Sequence, residues 1–539
     1  MKQIKHPTRQ TGDRDVADTR DLLERALAHQ RAGRLRDAER AYERVLQRHP
    51  SHFDALHMLG VVALQTQRPA RAVELITRAL PQKPNVGAAH NHLAKALTDL
   101  GRFEEAISSY DIAISLRPGF ADAYVGRATA LRYLERFDEA LASCDQAIAL
   151  RPDVALAYIC RALIFRFMQR PEEALASCDK AIATQPELAE TWDKLGAALR
   201  DLNQLEEALS VFETAIEQWP DFAPAHMNAG MSYLQLGRAD PGWSLYDWRN
   251  QHGGPVAGRT WPKPRWHGDE PLVGKTLLVW SEQGLGDTIQ FCRYATLLES
   301  RGAKVILSVP SRLCAVLKGL GSTIDVITEK DTPPNFDLHC PMLSLPLAFG
   351  TTIETTPSAV PYLVPDVERV LRWRQRLGGE GFKIGISWQG SKLPIDVGRS
   401  FPLSLFHGIS RISGVRLISL QKGPGSEQLA NVPAGMAVEP LGEEFDGGPD
   451  AFVDTAAVMQ SLDLVITSDT SIAHLAGALA RPTWIALKQV PEWRWLLERE
   501  DSPWYPTARL FRQQRRGDWE DVFQRMQIEL LRLLMRRHG

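Results

Sequence analysis

Three short stretches of this chain place groups able to do chemistry beside residues that make room for a ligand. The first is SEQGLGDTIQF, Ser281 to Phe291. Gly284 and Gly286 permit a tight turn after Gln283, and Asp287 falls where a helix begins. A carboxylate there has two readings: it caps the helix by satisfying free N–H groups, or it acts on a substrate for which the glycines clear space. The second stretch runs Ser468-Asp469-Thr470-Ser471, with His474 one turn on and small residues (Ala473, Ala476, Gly477, Ala478, Ala480) behind it. A helix start favours a phosphate, and small residues let that helix lie close to a sheet and a ligand. Asp469 is itself anionic and is suited to sugar hydroxyls, unless it caps the helix and His474 packs internally. The third is SLQKGPG, Ser419 to Gly425, where Lys422 supplies a cation and Gly423 and Gly425 allow backbone to approach a nucleotide. The run from Gly284 to Ile289 lacks the third glycine of a dinucleotide fingerprint.

The elements that must position these groups are strands. Apolar or β-branched runs predict strands at Thr276 to Trp280, Lys304 to Val309, Ile324 to Ile327, Lys383 to Ser387, Val415 to Ser419, Leu464 to Thr467 and Thr483 to Leu487. Helical stretches fit between them, which predicts parallel sheets with helices on both faces. Ligands of such sheets bind beyond the carboxyl ends of the strands, where all three stretches lie. A proline-rich stretch at 357 to 365 divides two halves, 275–365 and 366–539. Trp493 and Trp495 either flank a sugar or base or fasten the terminal helix, which the apolar spacing of Val522, Met526, Ile528, Leu531 and Leu534 predicts. The connector 251–274 follows Trp243 and Trp248 and carries Trp261 and Trp266, so it is expected to be ordered.

The other half of the chain is periodic. Pro50, Pro84, Pro118, Pro152, Pro186 and Pro220 stand 34 residues apart, and Ala38, Ala72, Ala106, Ala140, Ala174 and Ala208 keep the same interval. Such a period marks a repeat array. Each unit reads as two helices stopped by its proline, with small residues at its eighth and twentieth places. A lone hairpin cannot bury its apolar face, but a stack can. The array is assigned to 19–250, after a disordered 1–18. Its groove is expected to bind a protein or peptide through His57, Asn91, His92, Lys95, Asp122, Asp193 and Lys194; the alternative is a spacer.

Composition bounds the rest. The 539 residues exceed one core. A net charge of -2 argues against a nucleic-acid partner. The polar N-terminus and the absence of a long apolar run predict no signal and no transmembrane segment, hence a cytoplasmic protein. Six scattered cysteines predict reduced thiols and no metal site.

Two resemblances follow from these motifs. The units resemble tetratricopeptide repeats: Trp192, Leu195, Gly196, Ala208, Phe212, Ala215 and Pro220 match that pattern. The second half resembles glycosyltransferase family nine, the heptosyltransferase-like group, through the G-x-G-D loop ending at Asp287, GISWQGS at 385 to 391 and D-T-x-x-x-H-x-A-x-A at 469 to 478. The resemblance implies an α-solenoid followed by a GT-B fold of two Rossmann-like α/β domains, the acceptor side first and the nucleotide-sugar side second. It implies a bacterial-type transferase that is inverting and metal-independent, with a nucleotide-sugar as substrate, a glycan or protein as acceptor and no cofactor. Asp287 is then the base, with Gln283, Gly284 and Gly286 on the acceptor loop. The donor is expected at Trp388, Gly390, Lys392, Arg399, Lys422, Ser468, Asp469, Thr470, Ser471 and His474. The competing reading is an interaction scaffold whose transferase fold is inactive.

Overall fold

The computed structural model describes residues 10–250, 260–391, 398–448 and 451–538, the side chains of 10–17 and 538 excepted. The chain divides into two compact units between Leu195 and Gly196.

The first unit is a run of antiparallel helical hairpins: Gln10–Arg31 with Leu35–Arg48, Phe53–Gln65 with Pro69–Ala79, Gly87–Asp99 with Phe103–Leu116, Ala121–Tyr133 with Phe137–Leu150, and Ala155–Phe167 with Pro171–Thr184. The first helix begins at Gln10, inside the stretch expected to be disordered; residues 1–9 lie outside the described ones. Gly33, Gln67, Gly101, Glu135 and Gln169 recur at the 34-residue interval, and every one has a left-handed φ between +56° and +74°. That conformation ends the first helix and turns the chain toward the second. The small residues explain how close the two helices come. Ala94, Ala106, Ala128, Ala140, Ala162 and Ala174 are fully buried, and a Cβ on Gly60 would stand 2.5 Å from Ile76 Cγ1.

The second unit opens with helical segments of the same kind, Leu205–Gln218, then Ala223–Gln235 with Ala239–Tyr246 and a 3-10 turn, Asp247–Asn250. Two parallel sheets follow. The first contains β1 (Thr276–Trp280), β2 (Lys304–Val309), β3 (Ile324–Thr328) and β4 (Leu338–Pro341), in the order β3-β2-β1-β4. The second contains β5 (Phe382–Ser387), β6 (Val415–Ser419), β7 (Leu464–Ser468), β8 (Thr483–Leu487) and β9 (Ala508–Arg512), in the order β6-β5-β7-β8-β9. Every pairing is parallel. Strands covered on both faces are near-continuously apolar, which is why seven of them are legible in the sequence. β4 is four residues ending in proline, and β9 has arginine at two of its five places, so neither stands out.

Both sheets have a point where strand order reverses: between β1 and β4, and between β5 and β7. The loop after β1 carries Asp287, and those after β5 and β7 carry Arg399 and Asp469. The terminal helix, Trp519–His538, buries Val522, Phe523, Met526 and Leu530 in one core with Phe401 and Phe406. Among the described residues no helix is long and apolar enough to cross a membrane.

Candidate active site

The loop after β1 is held from two directions. Glu282 is fully buried; it accepts Nη2 of the fully buried Arg249 at 2.7 Å and the backbone N–H groups of Met342 and Leu343 at 3.0 and 3.1 Å. Gln283 exchanges hydrogen bonds with the Tyr246 hydroxyl at 2.9 and 3.1 Å. Arg249 and Tyr246 belong to the end of the helical segments, so the last hairpin sets the course of the loop. Trp243 extends this role: its Nε1 donates to Thr351 O at 2.9 Å, and its ring meets Trp493 edge-on at 5.2 Å. Gln235 Nε2 donates to Pro491 O at 2.8 Å. Of the connector, 251–259 lie outside the described residues, while Trp266 is buried and Trp261 meets Phe336 at 5.8 Å.

Asp287 lies in the first turn of helix Leu285–Phe291. Its Oδ2 accepts the Gly284 N–H at 2.9 Å, which closes the glycine turn. Its Oδ1 pairs with Arg494. Burial pushes the carboxyl up; Arg494 pulls it back without reversing the direction. Arg494 also donates to Glu492 and, through Nε, to Gln290 Oε1 at 2.7 Å. Glu492 in turn pairs with Arg399, whose Nε lies 3.6 Å from Asp469 Oδ2. The outcome is an unbroken ionic chain, Asp287–Arg494–Glu492–Arg399–Asp469, drawn from loops of both sheets.

His474 borders that chain. Its Nδ1 lies 3.0 Å from the Tyr505 hydroxyl, and its ring stacks on Trp495 with centroids 5.5 Å apart. Burial, reinforced by Arg494, holds the imidazole well below its usual range, so it is neutral at pH 7. The helix Ser471–Ala478 approaches the Asp287 loop so closely that a Cβ on Gly286 would sit 2.8 Å from His474 Cδ2. Gly286→Ala is therefore expected to cost about 1–3 kcal/mol by overpacking, read as a lowered thermal midpoint.

Several expected donor residues have other employment. The Trp388 ring is fully buried and donates to Gly425 O at 3.2 Å, its backbone N–H donates to Gln421 Oε1 at 3.0 Å, and its carbonyl accepts the Phe401 N–H at 3.1 Å, so the residue holds the loop rather than a ligand. Lys422 is committed to the Phe445 carbonyl and lies over that ring. Gly390 N donates to Ser400 Oγ at 3.1 Å. Lys392 lies outside the described residues. Asp469 does not cap the following helix: the cap position is Thr470, which makes no side-chain cap bond. Thr470 Oγ1 instead lies 3.3 Å from Thr467 Oγ1, Ser468 is fully buried, and Ser471 opens the helix.

Lys488, Glu492, Arg494 and Gln290 also line this region, and no motif in the sequence marks them. Lys488, Glu492 and Arg494 lie in the loop after β8, at a strand end like the other three stretches, and that position is the signal by which they could be found. The tryptophans of the same loop do fasten the structure, Trp493 onto Trp243 and Trp495 onto His474 rather than onto the terminal helix. Burial pushes the Lys488 ammonium down.

In the repeats, two expected groove residues are not on open surface. His57 is 3% exposed, its Nε2 2.9 Å from His92 Nδ1; burial takes its imidazole down to about 4. Asp193 is 1% exposed and paired with Lys194 at 2.6 Å. Lys95 and Asp122 are exposed, Asp122 paired with Arg151; Asn91 is half-buried. Among the described residues no group of three His, Cys, Asp or Glu could hold a metal ion.

The tetratricopeptide repeat model matches residues 23–87 and 91–155, and a model of the Psidin N-terminal TPR repeats region matches 134–240. Protein FlbA of Caulobacter vibrioides is 30% identical over 322 residues, 55% of this chain and 53% of that protein, so the chain spans about half the length of this curated relative. A tetratricopeptide repeat protein of Parabacteroides merdae is 16% identical, covering 42% of this chain and 91% of its own, with a TM-score of 0.38. The thermophilic TPR protein TTC0263 of Thermus thermophilus is 25% identical, covering 34% and 98%, with a TM-score of 0.30. The helical hairpins that precede the two parallel sheets are tetratricopeptide repeats.

Proposed function

We propose that the α/β part is a glycosyltransferase of the heptosyltransferase-like kind, moving a sugar from a nucleotide-sugar to a hydroxyl of a glycan or protein. The observation that carries this is the ionic chain. It joins a largely buried carboxylate after a strand of one sheet to a carboxylate beside a helix start after a strand of the other, through two guanidinium groups bridged by Glu492. The chemistry follows from the charges. Asp287 removes the acceptor proton as the anomeric carbon is attacked. Arg399 and Arg494 stabilise the negative charge growing on the departing diphosphate, a task for which preorganised cations are well suited. Asp469 takes sugar hydroxyls, and the repeats recruit a protein partner or the acceptor itself.

The test is thermal shift of the full chain against uridine, guanosine, adenosine and cytidine diphosphates and their sugar conjugates. A nucleotide at about 100 times its dissociation constant adds about 2.7 kcal/mol of stability. A shift selective for one base supports the reading. No shift with any of them favours the second reading, a repeat scaffold with a silent transferase fold. The pairing of Asp287 with Arg494 is the observation on that side.

A further inference from the structure

We propose that Arg494 is a clamp for the donor diphosphate that masks Asp287 until the donor arrives. The inference rests on the transferase reading and adds to it a residue, a ligand group and an order of events.

Three observations lead there. Arg494 is 6% exposed and all three edges of its guanidinium are in use, toward Gln290, Glu492 and Asp287. Asp287 is thus tied to a cation, and its Oδ1 is occupied by Arg494 rather than open to an acceptor hydroxyl. Second, the Glu492 carboxylate lies between Arg494 and Arg399, one oxygen on each. An oxyanion bridged by two guanidinium groups, one nitrogen from each, is an arrangement that also suits a phosphoryl group, so Glu492 occupies the station of a phosphoryl group. Third, Gln290 is fully buried; its Oε1 accepts from Arg494, and its Nε2 has no hydrogen-bond partner among the described residues. A buried donor left unmatched is destabilising, and an oxyanion drawn in beside Arg494 would relieve it.

The sequence of events is as follows. The donor enters and its diphosphate displaces Glu492 from between Arg399 and Arg494. Arg494 turns from Asp287 to the phosphoryl oxygens, and Asp287 is freed. An acceptor hydroxyl then forms its bond to the anomeric carbon and gives its proton to Asp287. The bond from the anomeric carbon to the diphosphate oxygen breaks, and its electron pair stays on the diphosphate, held by both arginines. Donor binding therefore precedes productive acceptor binding.

The probe is inorganic pyrophosphate, titrated into the full-length protein by calorimetry, alongside circular dichroism to establish folding. Arg494→Gln should weaken pyrophosphate by about tenfold or more, the scale of a lost charge-assisted bond, and Arg494→Lys should recover part of it. The decisive variants act in the opposite direction. Glu492→Gln and Asp287→Asn remove the internal competitors for Arg494, so each should bind pyrophosphate more tightly than the wild type. Equal or weaker binding in both folded variants overturns the clamp, as does an Arg494→Gln protein that binds normally. These readouts need no sugar transfer. A nucleotide response with pyrophosphate binding indifferent to Arg494 removes the clamp alone. Pyrophosphate binding that follows the predicted order in a protein inert to every nucleotide-sugar removes the transferase reading instead.

Discussion

Asp287→Asn is expected to slow sugar transfer by about 10²–10⁴-fold, the usual contribution of a positioned general base, while the protein stays folded and still binds nucleotide. Asparagine keeps the shape of the side chain and can still accept the Gly284 N–H that closes the turn, so the loop between β1 and its helix is retained. What it loses is the capacity to take a proton. The pH profile supplies a second, independent reading. Burial is the larger influence on the Asp287 carboxyl and raises it. A base works only when ionised, so the rate should fall as pH falls through that raised value, and the acid limb should lie above the ordinary aspartate range of about 4. The variant's residual rate should lack this limb. Steady-state turnover with the nucleotide-sugar selected by thermal shift, measured from about pH 4 to 9, checks both statements. Unchanged turnover would take the role of base away from Asp287 and leave it as a turn-closing residue.

How much of this site the sequence disclosed depended on which force placed each residue. Asp287 and Asp469 were legible because strand-ending loops obey local rules: an apolar run stops, glycines or small residues follow, and a helix begins. The repeats were legible for a stronger reason. A 34-residue period repeats the same local decisions, down to the left-handed residue at Gly33, Gln67, Gly101, Glu135 and Gln169. The roles of Arg494 and Glu492 were not legible because nothing local sets them. Arg494 meets Asp287 across 207 residues of sequence, and only the juxtaposition of the loops after β1 and β8 makes the pair. The same holds in reverse for Trp388 and Lys422. Their residue types suggested a ligand, but the core at Trp388 and the carbonyl of Phe445 claimed them first. At His57 the place in the repeat unit predicts groove, yet a neighbouring histidine and Phe53 close over it.

Arg249→Met is expected to destabilise the second unit by about 3–5 kcal/mol, the cost of leaving a buried charge without its partner. Glu282 would then retain only the N–H groups of Met342 and Leu343, and its burial already pushes the carboxyl up against the pull of Arg249. Arg249→Met combined with Glu282→Leu should recover part of the loss, because an apolar pair of similar volume avoids both desolvation costs. Urea unfolding followed by tryptophan fluorescence is suited to the measurement, since Trp192 is the only one of the chain's 14 tryptophans before Gly196. The double variant also separates stability from function. It should fold better than the single variant, yet its Asp287 loop has lost the bond that ties it to the end of the repeats, so nucleotide response and turnover should recover less than stability does. Equal recovery of both would mean that the pair serves stability alone and that Gln283 and Tyr246 suffice to aim the loop. A single variant as stable as the wild type would mean that the Glu282 carboxyl can be buried protonated without loss, which would deprive the last hairpin of its strongest hold on the site.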